Sequence, residues 1–307
     1  MTSRRPVRNW MMAAVVGAGT VATLGAATIG VPGVAGAASG SGAKAYYVSL
    51  GDSYSVGYQP GKGSTFGYTG YVAARAHLTL ANFGCGGATT GSILQAVGCS
   101  ADLSAKFGRV SYPTTTQASA AEAFIHAHAG HIGLITVSIG GNDVTACASA
   151  SDPISCVATA VAGINTNVTV LAAALRSAAG PKVPIIGTTY PDVILGSYVY
   201  PSQPATATSI ALAKESVVAF RSLINPALQK AYGSVQGRFV DVTTATGAYG
   251  SLTKTTTLKP YGTIPIPVAK VCTLTWFCAQ GNIHAKTVGY NLIGKLIVGS
   301  YQAAKRS

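Results

Sequence analysis

Tyr46-Tyr47-Val48-Ser49-Leu50-Gly51-Asp52-Ser53-Tyr54-Ser55 is the stretch on which the fold turns. Five residues, Tyr46 to Leu50, read as a buried strand that ends at Gly51. Glycine permits a sharp turn, so Ser53 is expected at the strand's exit. A serine hydroxyl becomes a competent nucleophile only when a neighbouring base takes its proton. Alone, the segment is also an ordinary Asp/Ser turn capping a helix.

Outward from this point the pattern repeats. Leu80 to Phe83 reads as a second short strand that runs into the block Asn82-Phe83-Gly84-Cys85-Gly86-Gly87-Ala88-Thr89-Thr90. Ile132 to Ile139 is the strongest strand signal and runs into Gly140-Gly141-Asn142-Asp143. Glycines let backbone N–H groups approach a ligand, and an Asn amide can donate to an oxygen that becomes negative during reaction. Further strands are expected at 183–188 and 238–242. Helices are expected at 68–78, 118–129, 157–178 and 205–231, with a last one from about 285. Short apolar strands alternating with helices predict a central parallel sheet of about five strands between two helical layers, an α/β three-layer sandwich. Ligands bind beyond the carboxyl ends of strands in such sheets, and all three Gly-containing blocks sit there. No linker or repeat divides residues 45–307, which are read as one domain.

The segment Gly281-Asn282-Ile283-His284-Ala285 supplies a base. Among five histidines, His284 alone lies in a loop entering a helix beside a cysteine pair. His126, His128 and His131 are close in sequence, but residues two apart do not share a helix face, and no metal site is expected from them. Gly-Asp-Ser, then the glycine block, then Gly-Gly-Asn-Asp and a late His, in that order, resemble the SGNH (GDSL) hydrolases. The likeness runs from about Tyr46 to the last helix. Gly-Asp-Ser-Tyr-Ser and Cys-Gly-Gly-Ala-Thr-Thr are most similar to secreted actinobacterial esterases and lipases of that family, which carry three local disulfides. The resemblance implies an SGNH/flavodoxin-like fold, an ester substrate and no cofactor. It implies Ser53 as nucleophile and His284 as base, with an oxyanion hole from the N–H groups of Ser53 and Gly87 and the Asn142 amide. The family's usual Asp three residues before the His is absent, and Gly281 stands in its place. The Gly281 carbonyl is therefore expected to hold the His284 ring, ahead of Asp241 and Asn282.

Hydrophobic residues make up 48% of the 307 and charged residues 9%, a balance that gives a folded core rather than a disordered chain. The net charge is +13, and +10 without Arg4, Arg5 and Arg8. The basic residues are scattered and no nucleic-acid motif accompanies them, so adhesion to anionic envelope surfaces is expected and nucleic-acid binding is not. Arg4, Arg5 and Arg8, the apolar run Met11 to Val34 and Ala35-Gly36-Ala37 read as a signal peptide over 1–37; a retained anchor is the rival reading. Small residues at 38–44 form a flexible lead-in, and Ser3-Arg4-Arg5 fits only the start of a twin-arginine signal. Secretion suits the six cysteines. Fifteen connectivities exist; neighbour pairing, Cys85–Cys99, Cys147–Cys156 and Cys272–Cys278, is the economical one. A monomeric ester hydrolase is the leading expectation. A non-catalytic envelope-binding protein and an acyltransferase are the alternatives.

Overall fold

The computed structural model describes residues 45–306; the expected signal peptide and lead-in lie outside the described residues. β1 (Tyr46–Gly51) turns into the one-turn helix α1 (Ser53–Val56), and a small ribbon, β2 (Tyr58–Gln59) with β3 (Gly63–Ser64), follows. Next come α2 (Gly67–Ala76), β4 (Thr79–Asn82), α3 (Ser92–Gln95), α4 (Gln117–Ala127) and β5 (Ile132–Ser138). α5 (Gly141–Thr145) and the long α6 (Pro153–Ala179) precede β6 (Ile185–Thr188). A 3₁₀ segment (Val193–Tyr198), α7 (Ala207–Ala219), a π turn (Phe220–Ile224) and α8 (Asn225–Gly233) lead to β7 (Arg238–Val240) and α9 (Val242–Ala245). The hairpin β8 (Thr255–Leu258) and β9 (Gly262–Pro265) then gives way to α10 (Ile266–Leu274), α11 (Phe277–Gln280) and α12 (Thr287–Ala304).

Five parallel strands form the central sheet in the order β4-β1-β5-β6-β7. From β1 the chain steps outward to β4, then crosses back to β5, so the order reverses between β1 and β5. That switch point opens a crevice at the strands' carboxyl ends. Alternation along the strands sorts the core. Val48, Leu50, Ile135, Val137 and Ile185 face the layer of α4, α6 and α8. Tyr47, Leu134 and Ile186 face α2 and α12, where Tyr68, Val72, Tyr290, Ile293 and Ile297 cover them. A third cluster, including Leu195, Ala213, Val268 and Val271, joins α7 to α10 beyond the sheet.

The differences from the expected elements have local causes. α6 begins at Pro153 because Asp152 caps it, accepting the Ser155 N–H at 3.0 Å, and proline suits a first helical position. The helix expected over 205–231 is interrupted. Pro226 has no N–H for the ladder, and the turn before α8 is π-helical. β6 starts after Pro184, whose missing donor delays pairing. The β8–β9 hairpin had no expectation attached to it, its threonine-rich arms lacking apolar alternation.

Asp192, after β6, is fully buried. Its Oδ2 accepts the Ser216 hydroxyl at 2.9 Å, while Oδ1 has no partner among the described residues. Burial pushes this carboxyl up from 3.8 to about 7. The folded protein therefore holds a proton there that the unfolded chain has released. The group's contribution to stability is fully present below the unfolded value and is lost as pH rises through about 7. Asp192→Asn removes the charge and keeps an acceptor for Ser216. It is expected to raise Tm by about 4–8 °C more at pH 8 than at pH 5, and hardly at all below pH ~3.5, where the unfolded chain's carboxyl is protonated too. An equal shift at both pH values in a thermal melt would contradict the neutral buried acid.

Candidate active site

Gly51 ends β1 at φ +138°, and any Cβ there would come 2.1 Å from the Ser138 carbonyl oxygen on β5. Only glycine lets the two strand ends approach so closely. Asp52 then caps α1, its Oδ1 accepting the Tyr54 N–H at 2.9 Å. Its Oδ2 accepts the Tyr190 hydroxyl at 2.6 Å, and burial pushes its carboxyl up to about 7. Ser53 is thereby fixed at the first position of α1, where its own N–H has no acceptor in the helical ladder.

His284 reaches Ser53 from the far end of the chain. The Ser53 hydroxyl lies 2.7 Å from His284 Nε2. Nδ1 lies 2.8 Å from Asn282 Oδ1, which also accepts the His284 backbone N–H at 3.1 Å. Only an oxygen can accept that backbone donor, so the Asn282 amide is oriented with its oxygen toward the ring. Nδ1 must then carry the hydrogen, leaving the Nε2 lone pair for Ser53. Tyr54 stacks near the ring at 5.9 Å and Tyr58 packs at 4.6 Å. Burial lowers the imidazole from 6.5 to about 4.

The ring's partner is thus Asn282 and not the Gly281 carbonyl expected from the sequence. Gly281 has φ +64° and ends α11, and a Cβ there would meet the Tyr200 ring at 2.4 Å. The positive φ disfavours an aspartate at this position and the Tyr200 ring would have to shift for one, while the left-handed turn brings the next side chain, Asn282, to the histidine. Asp241 is occupied elsewhere: it caps α9 through the Thr244 N–H at 2.8 Å and accepts from Asn225 at 2.9 Å. The loop is held by the Trp276 N–H on the His284 carbonyl, 2.9 Å, and by Lys286 Nζ on the Cys272 carbonyl, 2.7 Å.

Asn142 opens α5 beside Ser53. One of its amide hydrogens is used by the Ala88 carbonyl at 2.8 Å; the other is free to donate. That bond ties Asn142 to the turn holding Gly87, which is exposed at φ +79° with no atom within 4 Å of a would-be Cβ. Asp143 completes the tie, accepting the Thr90 N–H at 3.0 Å and the Thr90 hydroxyl at 2.6 Å. The cysteines are bonded as Cys85–Cys99, Cys147–Cys156 and Cys272–Cys278, the first beside Gly87 and the last leading into the His284 loop. No group of three or more His, Cys, Asp or Glu that could hold a metal occurs among the described residues. Tyr190 went unremarked in the sequence. The rule that ligands gather beyond strand ends could have found it, since it follows β6 as Ser53 follows β1.

An apolar cavity borders the site, lined by Ser53 and Asn142 together with Val144, Ile154, Val157, Ile194 and Leu212.

The chain belongs to the GDSL-like lipase/acylhydrolase family, whose model matches residues 49–258. The match takes in Ser53, Gly87 and Asn142; His284 and Asn282 lie beyond it. No match occurs among curated proteins. Among solved structures, the chain is similar to phospholipase A1 from Streptomyces albidoflavus, at 18% identity and TM-score 0.48, over 84% of this chain and 99% of that one. It is also similar to an extracellular lipase from Streptomyces rimosus, at 19% identity and TM-score 0.49, over 83% and 98%. Likeness at this level says nothing of this chain's substrate.

Proposed function

We propose that this protein hydrolyses carboxylic esters through an acyl-enzyme on Ser53, with His284 as general base and then general acid. The observation that carries the reading is the 2.7 Å contact between the Ser53 hydroxyl and His284 Nε2, with Nδ1 held by an acceptor on the ring's other side. Ser53 Oγ attacks the ester carbonyl carbon as its proton passes to Nε2. The carbonyl oxygen becomes negative and meets the N–H groups of Ser53 and Gly87 and the free Asn142 amide hydrogen. As the tetrahedral species collapses, the C–O bond to the alcohol breaks and the alcohol takes the proton from Nε2. Water repeats the sequence on the acyl-enzyme, Nε2 accepting its proton, and the acid leaves. Each oxyanion donor is expected to be worth ~10²–10³ in rate.

Three disulfides support a secreted enzyme, and the net charge of +10 left without Arg4, Arg5 and Arg8 supports adhesion to anionic envelope surfaces. A serine-directed phosphonate, tested beside a chromogenic short-chain ester, checks the reading. The ester should be cleaved, and mass spectrometry should find the label on Ser53 alone. No turnover and no label on Ser53 would instead favour a non-catalytic envelope-binding role.

A further inference from the structure

Tyr190, two residues beyond the end of β6, is neither nucleophile nor base, yet it touches the chain on both sides of the oxyanion site. Its hydroxyl donates to Asp52 Oδ2 at 2.6 Å, and the other carboxyl oxygen accepts the Tyr54 N–H at 2.9 Å. One carboxyl thus joins Tyr190 to the turn that begins with Ser53. The end of the same ring abuts Gly141. A Cβ at Gly141 would lie 3.1 Å from Tyr190 Cζ, so the ring presses on the backbone that carries Asn142.

The ring has a firm mount. Its own carbonyl accepts the Thr243 hydroxyl at 2.8 Å, and the preceding Thr189 N–H donates to the Val240 carbonyl of β7 at 3.2 Å. Tyr54 packs edge-on against it, with ring centroids 4.9 Å apart. Tyr190 is buried, and its one hydroxyl hydrogen is used by Asp52, which leaves none for a substrate. The Ser53 N–H and the Asn142 amide belong to two separate helix starts, α1 and α5. Both can reach a single oxyanion only if the distance between those starts is fixed.

We propose that Tyr190 is a positioning residue that sets the spacing of the Ser53 N–H and the Asn142 amide, so that both donate to one oxyanion. This rests on the ester-hydrolase reading and adds a residue to it. The spacing matters once charge gathers on the carbonyl oxygen, so its loss should fall on kcat rather than on KM.

Turnover of a chromogenic short-chain ester by the full protein, counted per phosphonate-labelled Ser53, tests the assignment. Tyr190→Phe keeps the ring and removes only the hydroxyl. It should lower kcat by ~10–100-fold with KM within about 3-fold of wild type. In an Asn142→Ala background no spacing is left to set, and the same change should cost about 3-fold or less. A merely structural role would lower turnover by the same factor in both backgrounds. Gly141→Ala disturbs the contact from the other end, because ring or backbone must give by a few tenths of an ångström. It should lower kcat by ~5–50-fold, again only while Asn142 is present. A wild-type kcat in either single variant, a change confined to KM, or losses that multiply with Asn142→Ala overturn the role of Tyr190 while ester hydrolysis stands. If wild type cleaves no ester and Ser53 takes no phosphonate, the hydrolase reading falls and the assignment of Tyr190 falls with it.

Discussion

Ser53→Ala is expected to lower ester turnover by ~10⁴–10⁶, His284→Ala by nearly as much, and the double variant by no more than the worse single one. The two groups act as one unit. Without the base, the Ser53 hydroxyl keeps its proton and is a poor nucleophile; without the nucleophile, His284 has no proton to accept. What remains in all three variants is the oxyanion hole and the pocket. These should still support ~10³-fold catalysis over water. Ser53 begins a helix that Asp52 already caps, and its side chain fills no core position, so Ser53→Ala should melt within a degree or two of wild type. The measurements are kcat for the four proteins and their thermal melts. Effects that multiply, with the double variant far below either single, would mean that Ser53 and His284 act independently and that the 2.7 Å contact is not the catalytic pair.

The blocks at strand ends were legible in the sequence because apolar runs set the strands and glycines set their exits. Tyr46–Gly51 and Ile132–Ser138 each fall within a residue of where periodicity and turn chemistry place them. That regularity also brings Ser53 and Asn142 together, since β1 and β5 are neighbours in the sheet. Other parts depend on approaches between distant segments. Asn282 holds the imidazole only because Gly281 adopts a left-handed turn beneath the Tyr200 ring, a packing that spacing cannot reveal. The cavity is lined from helices that precede and follow β6 in the chain, and no local pattern marks Ile154 and Leu212 as lining the same space. A free histidine titrates near ~6.5, whereas burial, with Tyr54 and Tyr58 against the ring, lowers His284 to about 4, and no sequence pattern reveals that enclosure.

That burial, with Asn282 in place of a carboxylate, should make the protein active in acid. Neutral imidazole is the working form, and its folded-state value is depressed to about 4. Activity, as kcat/KM, should therefore rise through pH ~4 and be level from about pH 5 upward, well below the 6.5 of a free histidine. An amide oxygen fixes the ring and its tautomer but adds no negative charge, so nothing beside Nδ1 favours the imidazolium. Asn282→Asp supplies that charge. It should raise the acidic limb by ~1–3 pH units, so that the variant loses most of its activity at pH 5 and keeps or gains it at pH 8. Asn282→Leu is the complementary change: similar in size, with no acceptor for Nδ1 or for the His284 N–H. A freely rotating ring spends much of its time in the wrong tautomer, and turnover should fall by ~10²–10⁴ at every pH while the limb moves little. A residue that merely braces the loop would affect rate in both variants and leave the position of the limb alone. The pH profiles thus separate orientation of the base from support of the fold. An Asn282→Leu protein with wild-type kcat, or an Asn282→Asp protein with an unmoved acidic limb, would show that Asn282 does not position His284.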